Sequence, residues 1–209
     1  VASMAMELLG APHLNVFYGD GDEVTRARID HLEGIISLFP WVAMIDSFQH
    51  WLYTHPGHSR DERRQTWLGI MDRFGTGQID WTGLEEIRAH RWMRQSHLFG
   101  VPFYYVEYAI AQLGALQVWR NHRNDADEAI RLYRNGLSKG NTVTLPQLYE
   151  ETGIRFDFSF ENLSDLIGMV REEIENLEGA GMAQDGRETA PRRPLDGPGR
   201  PQGGPRVAP

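Results

Sequence analysis

An all-α fold follows from three features of this 209-residue sequence. Apolar side chains recur at steps of three and four through most of residues 1–184, the period of an amphipathic helix. Glycine and proline punctuate these runs at spacings that suit helix ends. No alternating stretch is long enough for a strand: Arg155-Phe156-Asp157-Phe158 alternates, but only over four residues between helical patterns.

The elements read in order. Val1 to Leu9 is apolar on one face. Asp22 or Thr25 can cap a helix whose apolar positions run Ile29, Leu32, Ile36 and Phe39. Pro40 is expected to end or kink it. A further helix spans Trp41 to Tyr53 and stops at His55-Pro56-Gly57. Arg60 to Phe74 closes at Gly75-Thr76-Gly77, and Leu84 to Phe99 follows. Pro102 suits the first turn of a helix reaching Trp119. Asp125 to Leu137, Leu145 to Thr152, and a last helix from Ser159 or Asn162 to Leu177 complete the set. No internal repeat is evident. The low-charge stretch Leu98 to Trp119 carries Glu107, two glutamines and three tyrosines, so it reads as a core helix rather than a membrane span.

Composition narrows the chemistry. The chain has no cysteine, which excludes disulfide scaffolds, thiolate-held metals and cysteine nucleophiles. Its net charge is −8 and its pI about 5.5, which argues against a sequence-independent nucleic-acid binder. The chain opens at Val1 with no basic segment ahead of an apolar one, so no secretory signal is visible and a cytoplasmic location is expected. The start reads as a cut inside a longer protein.

From Asp185 onward the character changes. Six of the eleven prolines fall in 185–209, and the large apolar side chains there are Leu195 and Val207. Such a segment cannot bury enough surface to offset its ordering entropy. Two parts are therefore expected: a helical part, 1–184, and a disordered Pro/Gly/Arg-rich tail, 185–209.

The stretch richest in chemistry runs from Arg94 to Tyr108. On a helix starting at Pro102, Tyr104, Tyr105 and Tyr108 would share an arc of roughly a hundred degrees, with Ala111 and Ala115 extending the stripe. Buried phenols need partners. Three of them beside His97 are either a satisfied core network or donors aimed into a cleft. The Gly100-Val101-Pro102 loop puts His97 and the first tyrosines at a helix end, where sites open to solvent.

Three segments carry a resemblance. They are Val1-Ala2-Ser3-Met4, the run Asp46-Ser47-Phe48-Gln49-His50-Trp51-Leu52-Tyr53, and His97 to Leu113 with its Pro102-Phe103-Tyr104-Tyr105 turn and Ala111-Gln112-Leu113. Together they resemble the C-terminal part of the oligoendopeptidase F type of M3 zinc metallopeptidases. The similarity continues to about residue 178 and leaves out the tail.

What the resemblance implies is peptide hydrolysis at one zinc ion. In that family a His-Glu-x-x-His helix supplies two ligands and the general base, and a later glutamate supplies the third ligand. Donors in the C-terminal segment then hold the oxyanion of the tetrahedral intermediate. By resemblance these catalytic roles pass to His97, Tyr105 and Tyr108, with Tyr104 and Gly100 contacting substrate. No histidine in this chain is followed by glutamate, so the His-Glu-x-x-His signature is absent. The resemblance therefore implies that the zinc ligands lie upstream of Val1, and no metal ligand is assigned to this chain. The expected partners are short peptide substrates and a missing N-terminal part of the same protein, without nucleic acid or membrane. Alone, the chain is expected to be inactive.

Other candidates read more plainly. A metal site at His50, His55 and His58 is conceivable, but the five-residue gap and Pro56 spoil a shared helix face, so they read as a helix-end cluster of partly exposed histidines, with His50 beside Phe48 and Trp51 suited to a hydrogen-bonded core position. Glu7 could orient a zinc ligand or simply be solvated. Glu85-Glu86 with Arg88, and Asp61-Glu62 with Arg63-Arg64, suit solvated charge pairs. Asp20-Gly21-Asp22-Glu23 suits a turn and helix cap, since it lacks the remaining ligands of a calcium loop. The alternative to a peptidase part is a non-catalytic helical interaction module, in which the phenols would be sealed in a core.

Overall fold

A computed structural model of the chain describes residues 1–19 and 21–185. Asp20 of the expected turn, and residues 186–209 of the expected tail, lie outside the described residues. Among the described residues every regular element is helical, as the apolar periodicity predicts. In chain order they are α1 (Ala2–Gly10), α2 (Asn15–Tyr18), α3 (Asp22–Thr54), α4 (Arg60–Phe74), α5 (Glu85–His90), α6 (His97–Gly100), α7 (Val106–Asn124), α8 (Ala126–Lys139), α9 (Leu145–Glu151) and α10 (Phe160–Asp185). Short 3-10 turns follow α1 and α5.

The long α3 organises two hydrophobic clusters. Leu32, Ile35, Ile36 and Phe39 in its first half pack with Ala5 and Leu8 of α1, Leu116 of α7 and Val170 of α10. Trp41, Met44, Ile45 and Phe48 in its second half pack with Trp67 and Met71 of α4 and with Trp92 and Leu98. Pro40 sits where the helix passes from one cluster to the other, and of the end or kink expected there the end does not occur. An interior proline costs about 3 kcal/mol. Each large side chain buried on either flank returns about 1.5–3 kcal/mol. Several are buried on each side, so packing outweighs the local penalty.

The helix ends follow local chemistry. At α4 the Ser59 hydroxyl accepts from the Glu62 amide at 3.2 Å, while the Glu62 carboxylate accepts from the Ser59 amide at 2.7 Å. Asp125 caps α8 by accepting from the Glu128 amide at 3.1 Å. Ser159 accepts from the Asn162 amide at 3.2 Å ahead of α10. At α3 the cap is Gly21, and Asp22 and Glu23 sit in the first turn instead. Acidic groups there complement the positive end of the helix dipole.

The structure corrects three other boundaries. The helix expected over 84–99 is broken into α5, a 3-10 turn and α6. The helix expected from Pro102 begins at Val106. Phe103 has a φ of +56°, a left-handed value that no α-helix accommodates. The last helix runs past Leu177 and Gly179 to Asp185. Side chains crowd α7 at Gly114, where a Cβ would lie 2.8 Å from both Val1 Cγ2 and the Tyr149 hydroxyl oxygen.

Candidate active site

The segment from Gln95 to Tyr108 is positioned from both sides. Gln95 follows the 3-10 turn in an extended conformation, ψ 93°. α6 carries His97 on its first residue. The loop 101–105 then turns back, with the Tyr104 amide donating to the Val101 carbonyl at 3.3 Å. The Phe103 amide donates to Gln49 Oε1 of α3 at 2.9 Å. Tyr108 lies in the first turn of α7, whose stretch Gln112–Trp119 is fully buried and gives the site a rigid base.

The phenols gather around His97, although not through the helix geometry expected of them. Tyr104 and Tyr105 precede α7, so the turn and not a shared helix face brings them together. His97 Nε2 lies 3.2 Å from the Tyr108 hydroxyl oxygen. The His97 ring stacks on Tyr104 at 6.0 Å and 6°, meets Tyr105 at 5.0 Å, and meets Tyr108 edge-on at 5.5 Å. Tyr108 touches Tyr104 at 6.0 Å and Tyr105 at 5.1 Å.

The cluster is not sealed. Tyr104 is 51% exposed, and His97, Tyr105 and Tyr108 are half-buried. Phe99 and Phe103 flank them with further exposed aromatic surface. Gly100 is exposed, and a Cβ built there meets nothing within 4 Å, so space beside His97 is open. Burial pushes the Tyr105 phenol above its ordinary value; the nearby Trp41 indole N–H opposes the shift and Tyr108 adds to it. Tyr105 is thus a neutral donor across the physiological range.

Sequence reasoning missed three residues that hold this arrangement. Gln49 anchors Phe103. Gln95 Nε2 lies 2.5 Å from His97 Nδ1, and Gln95 Oε1 accepts from Trp41 Nε1 at 3.2 Å. Trp41 is itself held edge-on to Trp67 at 6.0 Å and under the Arg91 guanidinium at 5.2 Å. Gln49 lies within the quoted run 46–53, but nothing in its spacing marks a partner 54 positions away.

The remaining candidates do not join the cluster. His55 stacks on Trp51 at 5.0 Å, and His58 meets the same ring at a tilt at 4.9 Å. His50 is exposed rather than in the core, pairing with Asp46 and tilting on Phe103. Glu7 is exposed and pairs with His31 at 3.3 Å. Glu86 does more than the solvated pairing expected within its own segment: it joins α5 to α4 through a two-point bond with Arg64. Two cavities lie elsewhere, one of about 490 Å³ along Gly77–Thr82 and one of about 190 Å³ around Arg28, His31 and Glu173.

Among the described residues no group of three or more histidine or carboxylate side chains is placed to hold a metal ion, and none forms a helix long and apolar enough to cross a membrane.

The model of peptidase family M3 matches residues 1–165. No curated protein matches the chain. Among solved structures it is similar to one carrying the name oligoendopeptidase F, with 26% identity and a TM-score of 0.72 over 83% of this chain and 30% of that one. PZ peptidase A, solved with an inhibitor, matches with 26% identity and a TM-score of 0.73 over 83% and 31%. A structure from Bacillus anthracis, also named oligoendopeptidase F, shares the fold at 24% identity and a TM-score of 0.66 over 83% and 27%. The chain spans about 30% of the length of the structures it matches.

Proposed function

The chain belongs to peptidase family M3, and from that premise we propose that residues 1–184 form the helical C-terminal part of a zinc-dependent oligoendopeptidase that hydrolyses short peptides. The reading also takes 185–209 as an appended tail and the cytoplasm as the site of action. His97, Tyr105 and Tyr108 serve as donors to the scissile carbonyl and the developing oxyanion, while Tyr104 and Gly100 border the bound peptide. The observation that carries the proposal is the His97–Tyr108 contact at 3.2 Å within a ring of phenols open to solvent. A sealed core, which an interaction module would need, is hard to reconcile with Tyr104 at 51% exposure.

Zinc, when bound in the complete protein, would polarise the scissile carbonyl and acidify the attacking water. No group of side chains among the described residues is placed to hold it, and the reading assigns its ligands to the part of the fold that the chain does not span. The contribution of the present residues is orientation and charge stabilisation. A phenol hydroxyl and an imidazole N–H held in place before reaction need no reorganisation as negative charge builds on the carbonyl oxygen.

The test is Tyr108→Phe in the complete protein with a short peptide substrate. The expected result is a fall in kcat of about 10²–10³, larger than any rise in KM. Unchanged kcat would overturn the role. The chain alone is expected to show neither stoichiometric zinc nor peptide cleavage; metal analysis and a peptide assay on it check this directly.

A further inference from the structure

We propose that Gln95 and Trp41 are positioning residues that fix which nitrogen of His97 carries its proton, and so leave the Tyr108 hydroxyl hydrogen free to be donated away from His97. The argument is a chain of forced hydrogen-bond roles. An indole N–H only donates. The group it meets at 3.2 Å is therefore the carbonyl end of the Gln95 amide. That choice turns the NH₂ end toward His97, where it lies 2.5 Å from Nδ1. An amide nitrogen only donates, so Nδ1 accepts and carries no proton. The proton of the neutral ring sits on Nε2, facing the Tyr108 oxygen at 3.2 Å. His97 then donates to Tyr108, and the phenol's own hydrogen is not spent on the ring.

The opposite tautomer would reverse the last step. With Nε2 unprotonated, Tyr108 would donate to His97 and offer only lone pairs to an oxyanion. Gln95 thus decides whether Tyr108 faces a substrate as a donor or as an acceptor. Trp41 decides the matter for Gln95, and the Arg91 and Trp67 contacts hold Trp41 in turn. What the freed hydroxyl serves rests on the peptidase reading above; the tautomer itself does not.

The experiment reads the tautomer by nitrogen NMR of the full 209-residue chain labelled with ¹⁵N-histidine, at a pH where imidazole is neutral. The His97 signal, among eight histidines, is identified by its loss in His97→Gln. The expected pattern is Nε2–H; an Nδ1–H pattern or an averaged one overturns the proposal. Gln95→Glu keeps the shape but has no donor, so a proton is expected to appear on Nδ1; an unchanged pattern overturns the role of Gln95. Trp41→Phe frees the amide to turn, so the two nitrogen shifts are expected to move toward each other; unchanged shifts overturn the role of Trp41. If Tyr108→Phe left kcat intact while these patterns held, the oxyanion role would fall and the relay would stand.

Discussion

The Phe103 amide donates to Gln49 Oε1 at 2.9 Å across 54 positions of sequence, and it does so from a backbone turned to φ +56°. A left-handed conformation costs an L-residue about 1–2 kcal/mol, so something must hold it. The bond to α3 is one restraint. The other is the Phe103 ring, which meets His50 at 4.8 Å and Tyr53 at 4.9 Å on the same helix. The turn that presents Tyr104 and Tyr105 is therefore pinned to the second half of α3, the half beyond Pro40.

Gln49→Leu is expected to loosen that turn without unfolding the chain. The substitution removes the acceptor for the Phe103 amide, but it also removes Gln49 Nε2, a buried donor without a partner. An unsatisfied buried group costs about 1–3 kcal/mol, so the two effects offset and the global change should stay near 1 kcal/mol. Locally the bond is gone. Hydrogen exchange at the Phe103 amide should accelerate strongly while α7 stays protected; equal protection in both proteins would show that Gln49 is not the anchor.

The contrast between these residues and the sequence pattern is physical. Helix content was legible because burial of one face imposes a period of three to four, and the phenol–histidine cluster was legible because its members lie within twelve positions. The turn at Phe103 was not legible. Pro102 suits a helix start locally, yet a bond and two ring contacts to α3 bend the chain the other way. For the same reason the helix does not end at Pro40: the local penalty is real, but two clusters pack across it. Trp41 and Gln95 are ordinary residues in sequence, and only the fold brings them to His97.

Two glycine substitutions should have opposite signs. At Gly136 of α8 an added Cβ would sit 1.9 Å from Thr152 Oγ1 and 3.0 Å from Thr152 Cβ. Thr152 is buried and its hydroxyl donates to the Leu148 carbonyl at 2.7 Å, so it cannot give way freely. Gly136→Ala should destabilise by about 1–3 kcal/mol through overpacking. At Gly168 of α10 a Cβ meets nothing within 4 Å. Gly168→Ala should stabilise by up to about 1 kcal/mol from helix propensity. Thermal unfolding of the two variants checks the pair, and shifts of the same sign would contradict the α8–α9 packing described.

Acid should weaken the start of α4 through Glu62. Its carboxyl is held below the ordinary 4.5, chiefly by the Ser59 backbone amide and then by the Ser59 hydroxyl, with burial opposing slightly. A depressed folded value means the contribution is complete above 4.5 and is lost as pH falls through the depressed value. Glu62→Gln keeps the shape of the cap but does not titrate. The native chain should exceed this variant in Tm at neutral pH, and the difference should shrink toward zero as pH falls from 4.5 through the depressed value. A difference independent of pH would exclude ionised Glu62 as its source.

The adjacent phenols should separate kinetically in the complete protein. Tyr104 is more exposed than buried and meets His97 by its ring face, at 6° between planes. Tyr104→Phe keeps that stack and removes only a solvated hydroxyl, so the loss should stay below about 1.4 kcal/mol, a tenfold change, and fall mainly on KM. Tyr105 is half-buried, packs on the second cluster and touches Trp41 through its hydroxyl. Its phenol is raised above the ordinary value by burial, so it remains a proton donor at any pH where the enzyme would work. In the role proposed for it, a donor held in that way would act on charge that develops only during reaction. Tyr105→Phe should therefore lower kcat by about 10²–10³ with KM little changed. Steady-state kinetics with one short peptide and both variants decides the ranking, and equal losses from the two would overturn it.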